Sequence, residues 1–341
     1  ETLDWQVRIA FMEGCAGLYI FSWTNEWYRG RQEILDWDFG LTRRDRIKKP
    51  ALQAVSRAFL ESPFKADMPW PRISVVVCTH NGVNTLAETL NGLSKLDYPD
   101  YEVIVVNDGC SPAVREIVGS FGQVRLIDIP HSGLSVARNV GCETATGSIV
   151  AYLDDDAWPD RDWLKYLACA FFKGEFAAVG GPNIPPQSDR TIPTCIAHAP
   201  GGPIHVLLTD REAEHIPGCN MSFLKTALQG IGGFDPQFRV AGDDVDICWR
   251  LQDLGLKIGF HPGAMVWHHR RKTIRAYLKQ QSGYGRAEAL LERKWPAKYN
   301  AAGQPGWHGR IYGMGRLAML SLGRSRIYHG TWGSALFQSL Y

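Results

Sequence analysis

Three consecutive carboxylates, Asp154, Asp155 and Asp156, directly follow an apolar run at residues 148–153. The run is long enough for one buried strand. Three adjacent like charges resist burial without partners, so the strand is expected to end where they begin. Carboxylate oxygens are the ligands that Mg²⁺ or Mn²⁺ prefers in proteins. The alternative is a solvated acidic turn, because charged clusters mostly lie in water.

The segment around this triplet alternates between continuous apolar runs and amphipathic stretches. The strands are predicted at residues 73–79, 101–106, 124–129 and 148–153, and the helices at 84–93, 112–119 and 135–146. This alternation predicts an α/β fold, a Rossmann-like and mostly parallel sheet with helices on both faces. Polar residues follow three of the strands, at residues 79–81, 107–109 and 154–156. Ligands bind at the carboxyl ends of such strands, so these residues should line one crevice, which favours a cation site over a turn.

The second half of the main region is less regular. Further elements are predicted as a helix at residues 162–172, strands at 177–181, 216–223, 257–260 and 264–267, and a helix that opens near Asp243. Residues 182–215 are expected to be irregular, and a long loop is usually functional or mobile. The histidines of this loop, His198, His205 and His215, lack metal-binding spacing and are expected at the surface. A later helix at residues 273–294 is expected to be interrupted at 283–285.

Seven motifs occur in a fixed order: VVVCTHNG, VVNDG, GLSVARNVG, VAYLDDDAWP, GCNMSF, GGFD and GDDVDICWRL. Together they closely resemble the family 2 glycosyltransferases of the GT-A fold over residues 72–270. The resemblance implies a nucleotide-binding half at 72–160 and an acceptor half at 161–270. It also implies a nucleotide-sugar donor, most simply a UDP-sugar, a carbohydrate or other hydroxyl acceptor, and Mn²⁺ or Mg²⁺ as cofactor.

The same resemblance assigns roles to individual residues. The nucleotide sugar would be bound by Thr79, Asn81, Asp108, Arg138, Asn139, Asp154 and Asp155. The metal would be bound by Asp156, Asp154 and His268, and the acceptor side would include Gly218, Asn220 and Trp249. Simpler structural roles stay open for some of them. Asp108 can be a turn residue, Arg138 and Asn139 a structural pair that closes the crevice, and His268 part of a basic surface cluster.

Asp243 and Asp244 stand where the resembled family has Glu-Asp, and the second carboxylate of that pair acts as the catalytic base. We therefore predict Asp244 as the base, with Asp243 beside it. Capping of the following helix is the alternative for Asp243, because acids are favoured at helix starts. A single displacement with one base predicts inversion at the anomeric carbon.

Residues 1–65 form a separate segment before a linker at 66–71. A helix end near Phe11, a buried strand at 17–23 and a helix at 50–60 are predicted. The order resembles the last strand and helix of a glycoside hydrolase (β/α)₈ barrel. A whole barrel needs roughly 200 residues or more, and its acids come from several strands, so Glu26 alone cannot perform hydrolysis. The segment is predicted to be the C-terminal remnant of an upstream glycoside-hydrolase-like domain.

Composition excludes some classes of protein. The formal net charge of +2 gives no reason to expect nucleic acid as a partner. Eight cysteines without paired spacing indicate a reducing, cytoplasmic compartment. The C-terminal region, 271–341, is predicted to be a helical extension, and its mixed basic and apolar residues at 310–328 could suit the cytoplasmic face of a membrane. A basic face of a packed helix is the alternative.

The sequence therefore predicts an inverting, metal-dependent glycosyltransferase. A Gln-x-x-Arg-Trp motif, typical of processive synthases, is absent, which favours the addition of one or a few sugars. Two alternatives stay open. One is a non-catalytic carbohydrate- or nucleotide-binding module of the same fold. The other is a sugar nucleotidyltransferase, although the Gly-rich basic loop expected after its first strand is replaced by Thr79 and the three residues after it.

Overall fold

The computed structural model describes residues 2–64, 68–80, 82–172, 174–189, 191–301 and 303–309. The chain divides into two compact units, Glu1–Pro69 and Trp70–Tyr341. In chain order the strands are β1 (Tyr28–Arg29), β2 (Gln32–Glu33), β3 (Ile73–Thr79), β4 (Tyr101–Asp108), β5 (Val124–Ile129), β6 (Ile149–Asp154), β7 (Ala157–Pro159), β8 (Phe176–Gly180), β9 (Asn183–Ile184), β10 (Val206–Leu207), β11 (Glu212–His215), β12 (Asn220–Leu224), β13 (Lys257–Phe260) and β14 (Val266–His268). The helices are α1 (Thr2–Met12), α2 (Pro50–Leu60), α3 (Leu86–Leu93), α4 (Pro112–Gly119), α5 (Leu134–Thr144), α6 (Trp163–Phe172), α7 (Thr191–Ala197), α8 (Lys225–Gly230), α9 (Asp243–Asp253) and α10 (Ile274–Lys294).

The first unit contains helices α1 and α2, a two-stranded antiparallel sheet of β1 and β2, and loops. Phe11 of α1 packs edge-on against Phe59 of α2, with ring centroids 5.7 Å apart. The strand predicted at residues 17–23 is wrong, because Tyr19 is fully exposed and the structure records no strand there. A strand needs a neighbouring strand that satisfies its backbone polar groups. Here the carbonyls of residues 22 and 23 instead accept hydrogen bonds from the N–H groups of residues 41 and 42, which lie in a loop.

The second unit contains a nine-stranded sheet in the order β10-β11-β13-β8-β12-β6-β3-β4-β5. Strand β12 is antiparallel to both of its neighbours, and so is β11, so seven of the nine strands run in one direction. A separate three-stranded sheet has the order β7-β14-β9. The predicted mostly parallel α/β fold is confirmed.

Helices cover both faces of the large sheet because successive strand residues point to opposite sides. Val75 and Val77 of β3 belong to one buried cluster with residues of α3, α4 and α6. Val76, between them, belongs to a second cluster with residues of α5, α8 and α9. Gly141 lets α5 lie close to the strand, since a Cβ at this position would approach Val76 Cγ1 to 2.3 Å.

The parallel register of β4, β3 and β6 fixes the position of the predicted crevice. Thr79 pairs with Asn107 across one side of β3, and Cys78 pairs with Asp154 across the other. The carboxyl ends of these strands, with Thr79, Asp108 and Asp154, therefore lie at the same edge of the sheet. The three polar strand ends share this edge as expected, but only Asp154 of the three residues named lines the cavity described below.

Two other expectations need correction. Residues 182–215 are not irregular: they contain β9, α7, β10 and β11, and β11 joins the large sheet beside β13. Helix α10 continues through Gly283 and Gly285 without interruption. Each glycine costs a helix only ~1 kcal/mol, which the packing of buried Ala287 and Leu291 offsets.

The extension predicted at 271–341 is described only as far as residue 309. Its membrane-surface segment at 310–328 lies outside the described residues. Within the part of the chain that the structure describes, no helix is both long and apolar enough to cross a membrane.

Candidate active site

Asp154, Asp156 and His268 form a cluster of possible metal ligands at the edge of the sheet. One ligand atom from each residue lies within 4.8 Å of the others. The pairing of β7 with β14 places His268 opposite Ala157, so that His268 Nε2 lies 3.0 Å from Asp156 Oδ1. Two carboxylates and one imidazole are a donor set that Mn²⁺ accepts readily. The three residues predicted as metal ligands are therefore brought together.

Burial and neighbouring cations set the charge of this cluster. Although burial raises the pKa of Asp156, the ion pairs with His268 and Arg271 outweigh it and hold the pKa at about 2. Arg271 Nη1 lies 3.3 Å from Asp156 Oδ2. The carboxylate of Asp156 is therefore ionised at neutral pH, as a metal ligand must be.

Asp155 has a different environment from its two neighbours. Burial raises its pKa to about 7, against a hydrogen bond with Thr79 that lowers it. A Cβ at Gly82 would come within 2.0 Å of Asp155 Oδ2, so this carboxylate lies against the loop after β3. Thr79 Oγ1 accepts a hydrogen bond from the Gly82 N–H at 3.1 Å. Asp155 therefore supports the loop that follows Thr79, and Asn81 itself lies outside the described residues.

Asp108 is buried at the end of β4, and the loop before α5 surrounds its carboxylate. The Ser132 N–H donates to Oδ1 at 2.6 Å, and the Gly133 N–H donates to Oδ2 at 3.0 Å. His131 Nδ1 lies 3.0 Å from Oδ2, and its ring stacks on His80 at 4.1 Å. Asp108 thus has a structural role, because its carboxylate fixes the loop before α5. It also lies at the edge of the sheet where the nucleotide was predicted to bind.

Arg138 lies in the interior and links the two acidic groups of the site. Its guanidinium is ion-paired with Asp243 and lies 3.5 Å from Asp154 Oδ1. It also donates to the Gly218 carbonyl at 3.2 Å, and Tyr152 donates its hydroxyl proton to the Arg138 carbonyl at 3.1 Å. Arg138 is therefore a buried residue that connects Asp154 with Asp243, and it also lines the cavity described below.

Several predicted site residues are not among those that line the cavity described below, namely Thr79, Asp108, Asn139, Asp155, Asp156, Asn220 and Trp249. Asn139 exchanges two hydrogen bonds with the backbone of Phe234, which corrects its predicted role toward the nucleotide sugar. Asn220 is fully buried and bonds Pro182, Ala264 and Trp163, and Trp249 is buried in an aromatic cluster. The predicted acceptor-side roles of Asn220 and Trp249 are therefore corrected to structural ones.

Asp243 and Asp244 begin α9 but face different surroundings. The Asp243 side chain is 2% exposed and paired with Arg138, whereas Asp244 is 24% exposed. Burial raises the pKa of Asp243 to about 6, against the opposing effect of Arg138. Burial also favours a raised pKa for Asp244, but the charge of Arg138 and the hydrogen bond from the Gly218 N–H lower it. Asp244 is thus the accessible member of the pair.

One cavity of about 810 Å³ joins the two ends of the site. Its lining includes Asp154 and His268 from the metal cluster and Asp243 and Asp244 from α9. Gly218, the third predicted acceptor-side residue, also lines it and donates its N–H to Asp244 Oδ2 at 3.0 Å. Two of the predicted metal ligands, Asp154 and His268, and the predicted base Asp244 therefore face one cavity.

Several lining residues were not predicted as site residues. Helix α10 contributes Gln280 and Tyr284, and the Gln280 amide oxygen accepts from Arg271 at 3.1 Å and from Tyr284 at 3.0 Å. His215 lines the cavity beside Asp244, although the loop histidines were expected at the surface. The two adjacent glutamines of α10 can be recognised in the sequence as polar residues of a predicted helix. The position of His215 next to α9 depends on tertiary packing, which no local sequence pattern indicates.

Comparison with known proteins agrees with this architecture. Residues 74–232 match the family described as Glycosyl transferase family 2. The chain is 33% identical over 229 residues to glycosyltransferase AglE of Haloferax volcanii, covering 64% of this chain and 73% of that protein. It is 30% identical over 273 residues to the pre-mycofactocin glycosyltransferase of Mycobacterium tuberculosis, covering 76% of this chain. The chain spans 56% of the length of that mycobacterial relative.

A solved structure supports the fold alone. The mannosyltransferase PcManGT from Pyrobaculum calidifontis, in complex with GDP-Man and Mn²⁺, superposes with a TM-score of 0.50 and 22% identity, covering 68% of each chain. The sheet and the acidic cluster at its edge define a protein of the GT-A fold class. Within that class, the chain belongs to glycosyltransferase family 2.

Proposed function

We propose that this chain transfers a sugar from a nucleotide sugar to a hydroxyl acceptor, with a divalent metal and with inversion at the anomeric carbon. The observation that supports this proposal is the shared cavity, whose lining includes Asp154 and His268 of the metal cluster and Asp244 of α9. A diphosphate held at the metal cluster would present its sugar toward Asp244. A non-catalytic module of the same fold would not need an ionised, accessible carboxylate at that position.

The metal cluster suits the binding of a nucleoside diphosphate. Asp154, Asp156 and His268 would hold Mn²⁺ or Mg²⁺, which neutralises the charge that develops on the leaving diphosphate. Arg271, 3.3 Å from Asp156, adds a cation at the same end. The donor proposed first is a UDP-sugar, and GDP-sugars are compared with it because the similar mannosyltransferase is in complex with GDP-Man and Mn²⁺.

Asp244 has the properties of a general base. The Gly218 N–H holds Oδ2 at 3.0 Å, and the Val245 N–H holds Oδ1 at 2.9 Å, so the carboxylate is oriented toward the cavity. It would take the proton of the acceptor hydroxyl while that oxygen bonds to the anomeric carbon. The bond from that carbon to the phosphate oxygen breaks in the same step, and the leaving diphosphate keeps the electron pair. One displacement inverts the configuration.

The test is nucleotide release with a panel of UDP- and GDP-sugars, with Mn²⁺ or Mg²⁺ and saccharide acceptors. The Asp244→Asn variant should bind donor normally and lose about 10²- to 10⁴-fold in kcat, because the amide cannot accept the proton. Asp156→Ala should lose metal-dependent donor binding. The product anomer, determined by NMR, should be opposite to that of the donor.

A matched control lies on the same helix. Asp253 ends α9 on the exposed side, about 14 Å of helix rise from Asp244. Asp253→Asn should leave both donor binding and transfer unchanged. Transfer at the wild-type rate by Asp244→Asn would refute the base assignment. Donor binding without turnover in the wild-type protein would favour the non-catalytic module.

A further inference from the structure

The imidazole of His215 is buried beside the proposed base. His215 is 7% exposed, and its Nε2 has no hydrogen-bond partner among the described residues. This nitrogen points toward Asp244 Oδ2 across 3.6 Å, a distance longer than a hydrogen bond. Buried polar atoms are nearly always satisfied, so an unpaired nitrogen directed at an active-site carboxylate requires an explanation.

The other ring nitrogen fixes which atom carries the proton. His215 Nδ1 lies 2.9 Å from the Ile204 carbonyl oxygen, which can only accept a hydrogen bond. Nδ1 therefore carries the hydrogen, and in the neutral imidazole Nε2 presents a lone pair toward Asp244. Two electron-rich atoms facing each other repel unless a proton lies between them. A proton that arrives at Asp244 therefore has an acceptor lone pair 3.6 Å from Oδ2.

The fold holds the imidazole in this orientation. His215 ends β11 and pairs with Val206 of β10, so the hairpin that carries Ile204 also carries the ring. Trp307 packs against the ring with centroids 5.6 Å apart. Two titratable groups face His215, the carboxylate of Asp244 on α9 and the imidazole of His205 before β10. Glu214, its neighbour in the chain, instead accepts the Gly309 N–H at 2.7 Å.

We propose that His215 is a positioning residue for the base and receives the acceptor proton from it. This inference depends on the transfer reaction proposed above. The acceptor O–H bond breaks, Asp244 takes the proton, and Asp244 then passes it to His215 Nε2. Asp244 returns to the carboxylate and pairs with the resulting imidazolium, which releases the proton to solvent after the product leaves. An imidazole binds a proton far more readily than a carboxylate at neutral pH, so the second transfer is downhill.

Chemical rescue tests this proposal on the full chain. In His215→Ala, kcat should fall about 100-fold at unchanged donor KM, because the carboxylate must release its proton without a partner. Imidazole added to the buffer should enter the vacated space and restore kcat in a saturable manner. His205→Ala removes the other buried histidine of the same segment, and added imidazole should not change its rate.

The pH profile separates a proton acceptor from a merely structural side chain. The side chain of His215→Gln cannot accept a proton, so its pH profile of kcat should differ from that of the wild type. Glutamine keeps a similar size and an N–H for the Ile204 carbonyl, so this variant also guards against misfolding of the alanine variant.

Three results would overturn the proposal. One is a His215→Gln variant with wild-type kcat and an unchanged pH profile. A second is a His215→Ala variant that folds, loses activity and does not respond to imidazole, which would show a structural role. The third is a wild-type protein that transfers no sugar in any assay, which would refute the proposed function as well. A dead Asp244→Asn with fully active His215 variants would refute this inference alone.

Discussion

Two adjacent carboxylates at the start of α9 differ in burial, so substituting each of them should affect the stability of the protein to a different extent. Asp243 is paired with Arg138, and both side chains are at most 4% exposed. Asp243→Asn would leave a buried guanidinium with only Asp154, 3.5 Å away, as a charged partner. We expect a loss of about 3 kcal/mol in the free energy of unfolding, measured by urea denaturation.

The comparison with Asp244→Asn makes this result informative. Asp244 is partly exposed to the cavity, so the asparagine there should change the free energy of unfolding much less than at Asp243. Unchanged stability of Asp243→Asn together with loss of transfer would mean that Asp243 is the base. Both carboxylates would then need to be reassigned.

Gly218 stands between the base and the buried arginine, and its small size is required there. Its N–H donates to Asp244, its carbonyl accepts from Arg138, and a Cβ would lie 2.7 Å from Arg138 Nη2. Because that guanidinium is fixed by Asp243, it cannot move aside easily. Gly218→Ala should cost about 1–3 kcal/mol of stability and should lower kcat by displacing Asp244.

Gly230 offers a matched control for this substitution. It ends α8, and a Cβ built there meets no atom within 4 Å. Gly230→Ala should therefore leave the melting temperature and kcat unchanged or raise the melting temperature slightly. Equal behaviour of the two alanine variants in thermal unfolding and transfer assays would contradict the close contact at Gly218.

Sequence motifs identified site residues whose chemistry follows from their own position in the chain. Asp156 was predicted as a metal ligand from the acidic end of a strand, and His268 from the resemblance to family 2 glycosyltransferases. The structure brings the two side chains to 3.0 Å. The partners of Arg138 and His215 were not predictable in this way. Arg138 pairs with a residue 105 positions away, and the link between His215 and Asp244 depends on the placement of a hairpin against a helix.

The same distinction holds for whole elements. Strands β3, β5 and β13 were predicted with their observed bounds. Strand β3 is a continuous, mostly β-branched run and is almost fully buried, whereas β5 lies at the edge of the sheet with no buried residue. The run at residues 17–23 has a similar composition but no neighbouring strand, so it stays outside any sheet. Strand β11 was missed for the opposite reason: its sequence, Glu-Ala-Glu-His, is polar, and it depends on pairing with β10 and β13.

Asn220 connects several elements, and its substitution should weaken the fold rather than the chemistry. Its amide donates to the carbonyls of Pro182 and Ala264 and accepts from the Trp163 indole at 2.9 Å. Asn220→Ala would remove the partner of the Trp163 indole N–H and one hydrogen bond from each carbonyl, although Pro182 still accepts from the Val266 N–H at 3.0 Å. A buried group left unsatisfied costs about 1–3 kcal/mol before relaxation. We expect a melting temperature lower by several degrees, with donor KM unchanged for the protein that remains folded.

An exposed asparagine on a neighbouring helix provides the comparison. Asn91 lies on the solvent side of α3, and Asn91→Ala should change the melting temperature very little. An unchanged melting temperature for Asn220→Ala would show that the buried amide does not hold β12 to its neighbours. A raised donor KM with normal stability would instead restore Asn220 to the binding site.

At the scale of the whole molecule, every element of the proposed chemistry belongs to the second unit. All residues that line the 810 Å³ cavity lie between 134 and 307, and both large hydrophobic clusters consist of residues from 70 onward. A fragment of residues 70–341 therefore contains its own core and its own site. The first unit contributes neither a lining residue to the cavity nor a member to these clusters within the described part of the chain.

We expect the fragment 70–341 to fold, to bind the nucleotide sugar with Mn²⁺ and to release nucleotide at a rate close to that of the full chain. Circular dichroism, calorimetric titration with the donor nucleotide and the transfer assay measure these three properties separately. A folded fragment that binds donor but loses transfer to saccharide acceptors would assign the first unit, with its exposed Trp23 and Tyr28, a part in acceptor binding. A fragment that fails to fold would show that the second unit depends on the first for its stability.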